Sequence, residues 1–581
     1  MSHRPSRLIR AWAALGALAL LIGVVASLAS PVVAQDDDND QPFGAITSQQ
    51  LIAAELEAGG LDYDTSLIYR AYALFGDPRL PEAYSGAGSL GEDVALFHEV
   101  VRAWDTLSPE AQEQLTPFIV RPTDERSVFA PRVRRGIQLE AGGAAQKEGC
   151  TNGWTSADSK AHPGAFKVWI ACVGDYEGDL ERAVAIIDEF WQPAIDVMGP
   201  PLPDTGGPDA GGDPALDFYF VEDDPKQPPR ADAPSALGDS TLAVAIPAAP
   251  FEGNKASGFM VARRARLKSE GVKLDLAHEF FHILQNAHNQ QIAFGFRSVP
   301  FGRFDILDYV EYWFVEATAV WMESYLYRDK IDPDTVVGEV YGRFINTFEF
   351  DEPIYYSPDR SSSEFGHIYA AFIWFYFVEQ EAGPETIAQM WRNLQEVEQD
   401  DWGGALAALD AAFPFEENFR EFAVRNLNLE LEPGDPISPS YSDLDPNFPE
   451  GIRPPLVVGE GSDRRLEPAT DDVPERIVGD TIKSLSAHYY YFVPTDDVAR
   501  LTLDFRNLKP GEALDVDMIV NIEGKGWERR QLDPSQPITF CRANPDDNVA
   551  AFYLVLSNHE MDEATSVTGT FSVRATTDAC S

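Results

Sequence analysis

Five consecutive residues, His278-Glu279-Phe280-Phe281-His282, carry the most chemistry in this 581-residue chain. They lie in VKLDLAHEFFHILQNAHN, a run that reads as one helix. Two histidines four apart on a helix share a face, with Cβ atoms roughly 5–6 Å apart. That separation lets both imidazoles reach one metal ion. Zinc favours such nitrogen ligands, and a catalytic zinc takes three protein ligands and leaves one position open to water. Glu279 points about 100° round the helix from His278. Its carboxylate can therefore face that water instead of the metal. The pattern supplies two ligands and a general base for hydrolysis.

Two residues compete to be the third ligand. His288 stands ten residues after His278, the spacing of an HExxHxxGxxH site. That pattern turns the chain at a glycine, and here the position is Gln285, a good helix former. In a continuing helix His288 lies about 15 Å along the axis from His278 and about 80° off its face, too far to share an ion. Glu316 is the better candidate, in YVEYWFVEATAVWMESYLYRD, a second helical run. Trp313, Phe314, Val315, Val320, Trp321 and Met322 make that helix apolar nearly all round. A carboxylate buried there is costly unless paired or metal-bound. Glu311 and Glu323 lie nearer the helix ends. The expected ligands are His278, His282 and Glu316.

HEFFH, followed 34 residues after His282 by Glu316 in WFVEATAVWME, resembles the gluzincin branch of the zincin metallopeptidases. It is especially similar to large secreted bacterial metallopeptidases with an AHEFFH helix. The likeness covers roughly residues 50–430 in segment order, and the two helices are its specific part. It implies a zinc endopeptidase that cuts protein or peptide substrates with Glu279 as general base. It also implies a donor for the tetrahedral oxyanion, often tyrosine or histidine, from a later helix. EFGHIYAAFIWFYFVEQEAG fits that place, with Tyr369 and His367 as its polar members. Thermolysin-like members carry an aspartate four residues after the glutamate ligand, supporting a histidine. Here that position is Val320, so the support must be built differently; Asp275 and Glu323 are the candidates, and the sequence does not choose between them.

Compartment and charge narrow the setting. Arg4, Arg7 and Arg10, an Ala/Leu/Val-rich stretch and Val32-Val33-Ala34 read as a secretory signal, residues 1–34, cleaved after Ala34. No later segment reads as a membrane span, so no stable membrane insertion is expected after cleavage. None of the four cysteines forms a CxxC pair, and the expected disulfides are Cys150–Cys172 and Cys541–Cys580. Net charge is −49, from 45 basic and 94 acidic residues. Such a chain repels nucleic acid, which needs a positive footprint. Nothing in the sequence fixes the oligomeric state.

The elements that must position these residues read as a multidomain α+β protein. Residues 35–136 are an acidic leader (QDDDNDQP) and a helical N-terminal region, a possible propeptide, with a basic stretch at Arg132-Val133-Arg134-Arg135. Thr47 and Ser108-Pro109 mark helix starts there. Residues 137–430 form the zincin-like α+β domain. Its long helix DLERAVAIIDEFWQPAIDVMG is followed by the strands ALDFYFVED, STLAVAIPA and GFMVARRAR. GFMVARR is the expected edge strand for an extended substrate. Between helix and strands, Asp204, Asp209, Asp213 and Asp217 raise calcium as a second cation, although their spacing fits no standard loop. A Pro/Asp-rich linker, 431–480, leads to a β-sandwich of six or seven short strands at 481–581. Two other functions fit the same residues: an inactive binding protein on a zincin scaffold, or a zinc hydrolase of non-peptide bonds.

Overall fold

The computed structural model describes residues 47–86, 94–130, 150–151, 153–172, 176–204, 212–221, 243–269, 271–290, 312–328, 351–356, 366–397, 401–427, 441, 465–469, 476–508, 514–562 and 565–578. The signal segment, the basic stretch at 132–135 and Asp209 lie outside them.

The N-terminal region is helical: α1 (Ser48–Glu57), α2 (Tyr63–Leu74), α3 (Val94–Ala103) and α4 (Pro109–Ile119). Thr47 caps α1 in a reciprocal box with Gln50, and Ser108 caps α4 ahead of Pro109. Both devices satisfy amide donors that a helix start leaves free.

A mixed sheet follows. Its strands are β1 (Trp154–Asp158), β2 (Phe166–Ala171), β3 (Leu216–Val221), β4 (Ala243–Glu252) and β5 (Lys255–Arg263), with α5 (Tyr176–Met198) crossing between β2 and β3. The order is β1-β2-β3-β5-β4. β2, β3 and β5 are parallel, while β1 and β4 run antiparallel at the edges. This corrects one expectation. GFMVARR lies in β5, which is paired on both sides, and STLAVAIPA supplies β4, the edge. Alternation alone cannot tell an edge strand from its inner neighbour.

Every residue of β3 is buried, because the sheet is covered on both faces. On one face Phe218 meets Phe280 and Trp191, from the helix α6 (Val272–Asn289) and from α5. On the other, Tyr219 packs against Trp154, Trp169 and Phe259. Arg121, just past α4, lies over the Phe259 ring on that second face. Its guanidinium forms an ion pair with Asp204 at 2.5 Å and donates a hydrogen bond to Asp217 at 2.9 Å, all three side chains buried. Trp169 Nε1 and Tyr219 Oη also donate to Asp217. The N-terminal helices therefore form a layer of the fold and share one apolar core with the sheet. Among the described residues the aspartates read as calcium candidates have cationic partners: Arg121 pairs with Asp204 and Asp217, and Lys167 with Asp213.

The helical half continues with α7 (Tyr312–Tyr327), α8 (His367–Ala370), α9 (Phe372–Ala382), α10 (Pro384–Asn393), α11 (Trp402–Asp410) and α12 (Phe415–Arg425). α7 is apolar nearly all round because aromatic neighbours meet it on several sides: Trp313 on Phe375, Phe314 on Trp391, Trp321 on Phe281.

Two further sheets enclose a separate apolar core, β11-β10-β13-β8-β6 and β12-β9-β14-β7. The strands are β6 (Arg465–Leu466), β7 (Arg476–Ile482), β8 (Ser486–Pro494), β9 (Arg500–Leu508), β10 (Leu514–Ile522), β11 (Gly526–Gln531), β12 (Ile538–Cys541), β13 (Val549–Asn558) and β14 (Val567–Thr576). β6 and most of β7 lie inside the segment read as linker. This sandwich is no loose appendage. Residues 46–581 form one compact unit, and Leu485, Tyr489, Ile519 and Val555 join the core of the helical half. Arg420 of α12 and Arg529 of β11 both bond the buried Asp517, and Tyr489 Oη donates to the Ala423 carbonyl. Cys150 and Cys172 are disulfide-bonded, and Cys541 is also in a disulfide.

Arg121→Met should leave two buried aspartates without their cation. Breaking such a cluster costs roughly 3–5 kcal/mol. Urea unfolding of the variant should show a loss of that order. A loss below about 1 kcal/mol, the value of an exposed pair, would mean that the N-terminal layer is only loosely attached.

Candidate metal centre

The site is built where α6 crosses α7 below the edge strand β4. Phe280, Phe281, Ile283 and Leu284 bury α6 in the core, so its remaining face is fixed. His278 and His282 lie on that face with ring centroids 4.7 Å apart, nearly perpendicular. His278, Glu279 and His282 each bring a ligand atom within 4.8 Å of the others, so this group could hold a metal ion. Glu316 of α7 joins them. Its Oε2 is 3.1 Å from His278 Nε2 and 3.8 Å from His282 Nε2. Donors about 2 Å from a tetrahedral cation stand about 3.3 Å apart, so both Glu316 separations are close to those that one shared ion would require. The donor set also suits a cation by charge, because it combines imidazoles with buried carboxylates.

The other nitrogen of each imidazole is held as well. His278 Nδ1 meets Glu323 Oε1 at 2.6 Å. Glu316 and Glu323 are seven residues apart, two helical turns, so they share a face and bracket the His278 ring from both ends. Burial alone would lower the basicity of His278, but the two carboxylates outweigh it and raise its pKa well above the ordinary value. Glu323 therefore takes the supporting place that Val320 leaves vacant. Asp275 does not; burial first, then the charge of Glu323, push it up to about 7.

His282 Nδ1 lies 2.8 Å from Gln285 Oε1. The amide oxygen can only accept, so Nδ1 carries a proton, and Nε2 is the nitrogen turned toward Glu316. Gln285 in turn donates to the Val315 carbonyl and Thr318 Oγ1, tying α6 to α7. The sequence marked Gln285 only as a helix former. A polar residue three positions after His282 was the available signal for this second task.

Glu279 is buried, and its Oε2 accepts from the Ala245 N–H of β4 at 2.7 Å. This links the motif glutamate to the backbone of the edge strand. Nothing in the sequence near Ala245 signals the contact.

Of the later polar candidates, Tyr369 reaches the centre. Its half-buried ring lies 6.5 Å from that of His278. His367 does not join the cluster. It is 0% exposed and hydrogen-bonds to the backbone of Pro353 and Ile354, and burial lowers its pKa to about 3. His288 is likewise structural: α6 continues past it, its Nε2 donates to the Met198 carbonyl, and Gln395 donates to its Nδ1.

No protein-family model matches the chain, and no curated protein matches it significantly. Among the described residues, no helix is long and apolar enough to cross a membrane.

Two outcomes follow. Glu316→Ala should lose most bound divalent metal, measured by elemental analysis after dialysis, whereas His288→Ala should retain it; the reverse pattern would remove Glu316 from the centre. His367 is neutral in the folded state down to about pH 3, but in the unfolded chain it titrates near its ordinary 6.5. The unfolded state therefore binds the extra proton between those values, and stability present above about pH 6.5 falls as pH drops. The slope from this group is about 1.4 kcal/mol per pH unit. Unfolding free energies from pH 7 to 5 should show a shallower acid slope in His367→Gln; equal slopes would contradict the assignment.

Proposed function

We propose that this protein is a secreted zinc-dependent endopeptidase of gluzincin type. The observation that carries the reading is the convergence of His278, His282 and Glu316, with Glu279 beside them on α6 and hydrogen-bonded to the edge strand. His278 Nε2, His282 Nε2 and the Glu316 carboxylate would hold the zinc. When bound, zinc supplies a Lewis acid that polarises a carbonyl and makes water more acidic.

The chain's own residues supply the rest. Glu279 takes a proton from the attacking water and delivers it to the leaving amine. Its bond to Ala245 N–H fixes one carboxylate oxygen and leaves the other for that exchange. The outer edge of β4, which pairs with no other strand among the described residues, would give an extended peptide a backbone to pair with and set its scissile bond beside Glu279. Tyr369, next to the His278 ring, donates a hydrogen bond to the oxyanion as it forms. Glu323 and Gln285 keep the two imidazoles turned toward the ion.

The disulfide Cys150–Cys172 supports an oxidising compartment, as does the signal-like N-terminus. Glu279 weighs against a purely binding scaffold, since holding a metal does not require it.

Glu279→Gln should keep zinc near one per chain and lower casein or peptide hydrolysis at least about a thousandfold, as expected when the general base of a water attack is lost. Tyr369→Phe should lower kcat about ten- to a hundredfold with zinc unchanged. Hydrolysis of simple esters but not of peptides by the wild type would favour the non-peptide hydrolase reading.

A further inference from the structure

The turn between β7 and β8 reaches out of the sandwich. Lys483 pairs with Glu352, Ser484 with the Tyr355 hydroxyl, and the Leu485 carbonyl accepts from Ile354 N–H at 3.0 Å. Three consecutive residues of the sandwich thus clasp residues 352–355, a short strap from the helical half. Leu485 is fully buried there in the left-handed conformation, φ 46°. A branched side chain adopts that conformation only where surrounding contacts hold it.

The strap's other side faces the candidate centre. Pro353 and Ile354 hydrogen-bond to His367 through their backbone, and the Tyr356 ring meets the His367 ring edge-on at 5.6 Å. His367 opens α8, and Tyr369 lies two residues on, against His278. One continuous path of contacts therefore joins the sandwich to the tyrosine beside the metal centre.

We infer that the C-terminal sandwich sets the position of Tyr369: its 483–485 turn holds the strap, and the strap holds His367, the positioning residue for the helix that carries the tyrosine. The consequence for turnover rests on the endopeptidase reading above; the mechanical coupling does not. His367 then needs no place in the cleft. Its burial, its backbone partners and its neutral state all suit a fixed post.

The test uses the zinc-loaded full chain, comparing wild type with the double variant Lys483→Ala/Tyr355→Phe. These changes cut the two side-chain links and leave every proposed catalytic residue and the buried ring of position 355. Amide hydrogen exchange across residues 366–371 should quicken about threefold or more, while residues 272–289 exchange as in wild type. On a peptide substrate, kcat should fall about five- to tenfold with KM within about twofold and zinc content unchanged. If the double variant does not fold, Tyr355→Phe alone provides the same comparison. Unchanged exchange at 366–371 overturns the coupling. Faster exchange with full kcat in an active enzyme overturns the positioning role. A wild type that hydrolyses no peptide counts against the endopeptidase reading, and the exchange result then decides the coupling on its own.

Discussion

Burying carboxylates beside two histidines is the constraint around which this structure is arranged. Glu279, Glu316 and Glu323 all lie below the surface. Each such group would cost several kcal/mol if left without partners. His278 answers two of them at once, with one ring nitrogen facing Glu316 and the other facing Glu323. The Ala245 amide answers the third. The raised pKa of His278 is the same fact stated in protons. A cation held by His278, His282 and Glu316, as proposed above, would take over part of that neutralising task.

That arrangement dictates much of the surrounding packing. Two carboxylates two turns apart on α7 can reach His278 only if α7 lies deep against α6. A helix so placed has no solvated face, which is why Trp313, Phe314 and Trp321 each find an aromatic partner on α9, α10 or α6. Beneath α6 the sheet must be rigid, and a sheet whose β3 is buried throughout needs a second cover. The N-terminal helices provide it, anchored by Arg121 on Asp204 and Asp217. The buried ion cluster explains why this region packs as a layer of the fold.

The sequence exposed the helical site well because the site is local. Four-residue spacing fixes His278 and His282, and an all-apolar helix makes the exceptional Glu316 conspicuous. The Glu316–Glu323 spacing of seven was equally legible, once one asks which residues share a helix face. Contacts between remote segments were not legible. No periodicity reveals that Ala245 N–H meets Glu279, that β4 rather than β5 is the edge, or that Arg121 consumes two aspartates that look like calcium ligands. The sandwich shows the same limit. Its strands alternate visibly, but the turn at 483–485 carries no mark of the strap it grips. His367 was conspicuous for its residue type, but its burial and its backbone contacts at Pro353 and Ile354 could not be read from the sequence.

Gln285 shows how one position can decide between two site designs. A glycine there would turn the chain and bring a third histidine back to the ion. Glutamine instead continues the helix, and His288 is carried away to a structural place between the Met198 carbonyl and Gln395. In the proposed centre the third ligand therefore comes from another helix, α7. The same glutamine bonds His282 with its oxygen and α7 with its nitrogen. It therefore fixes the tautomer of one ligand and the distance of the helix bearing another. The residue that carries His288 away from the site also ties down the helix that bears Glu316, the proposed third ligand.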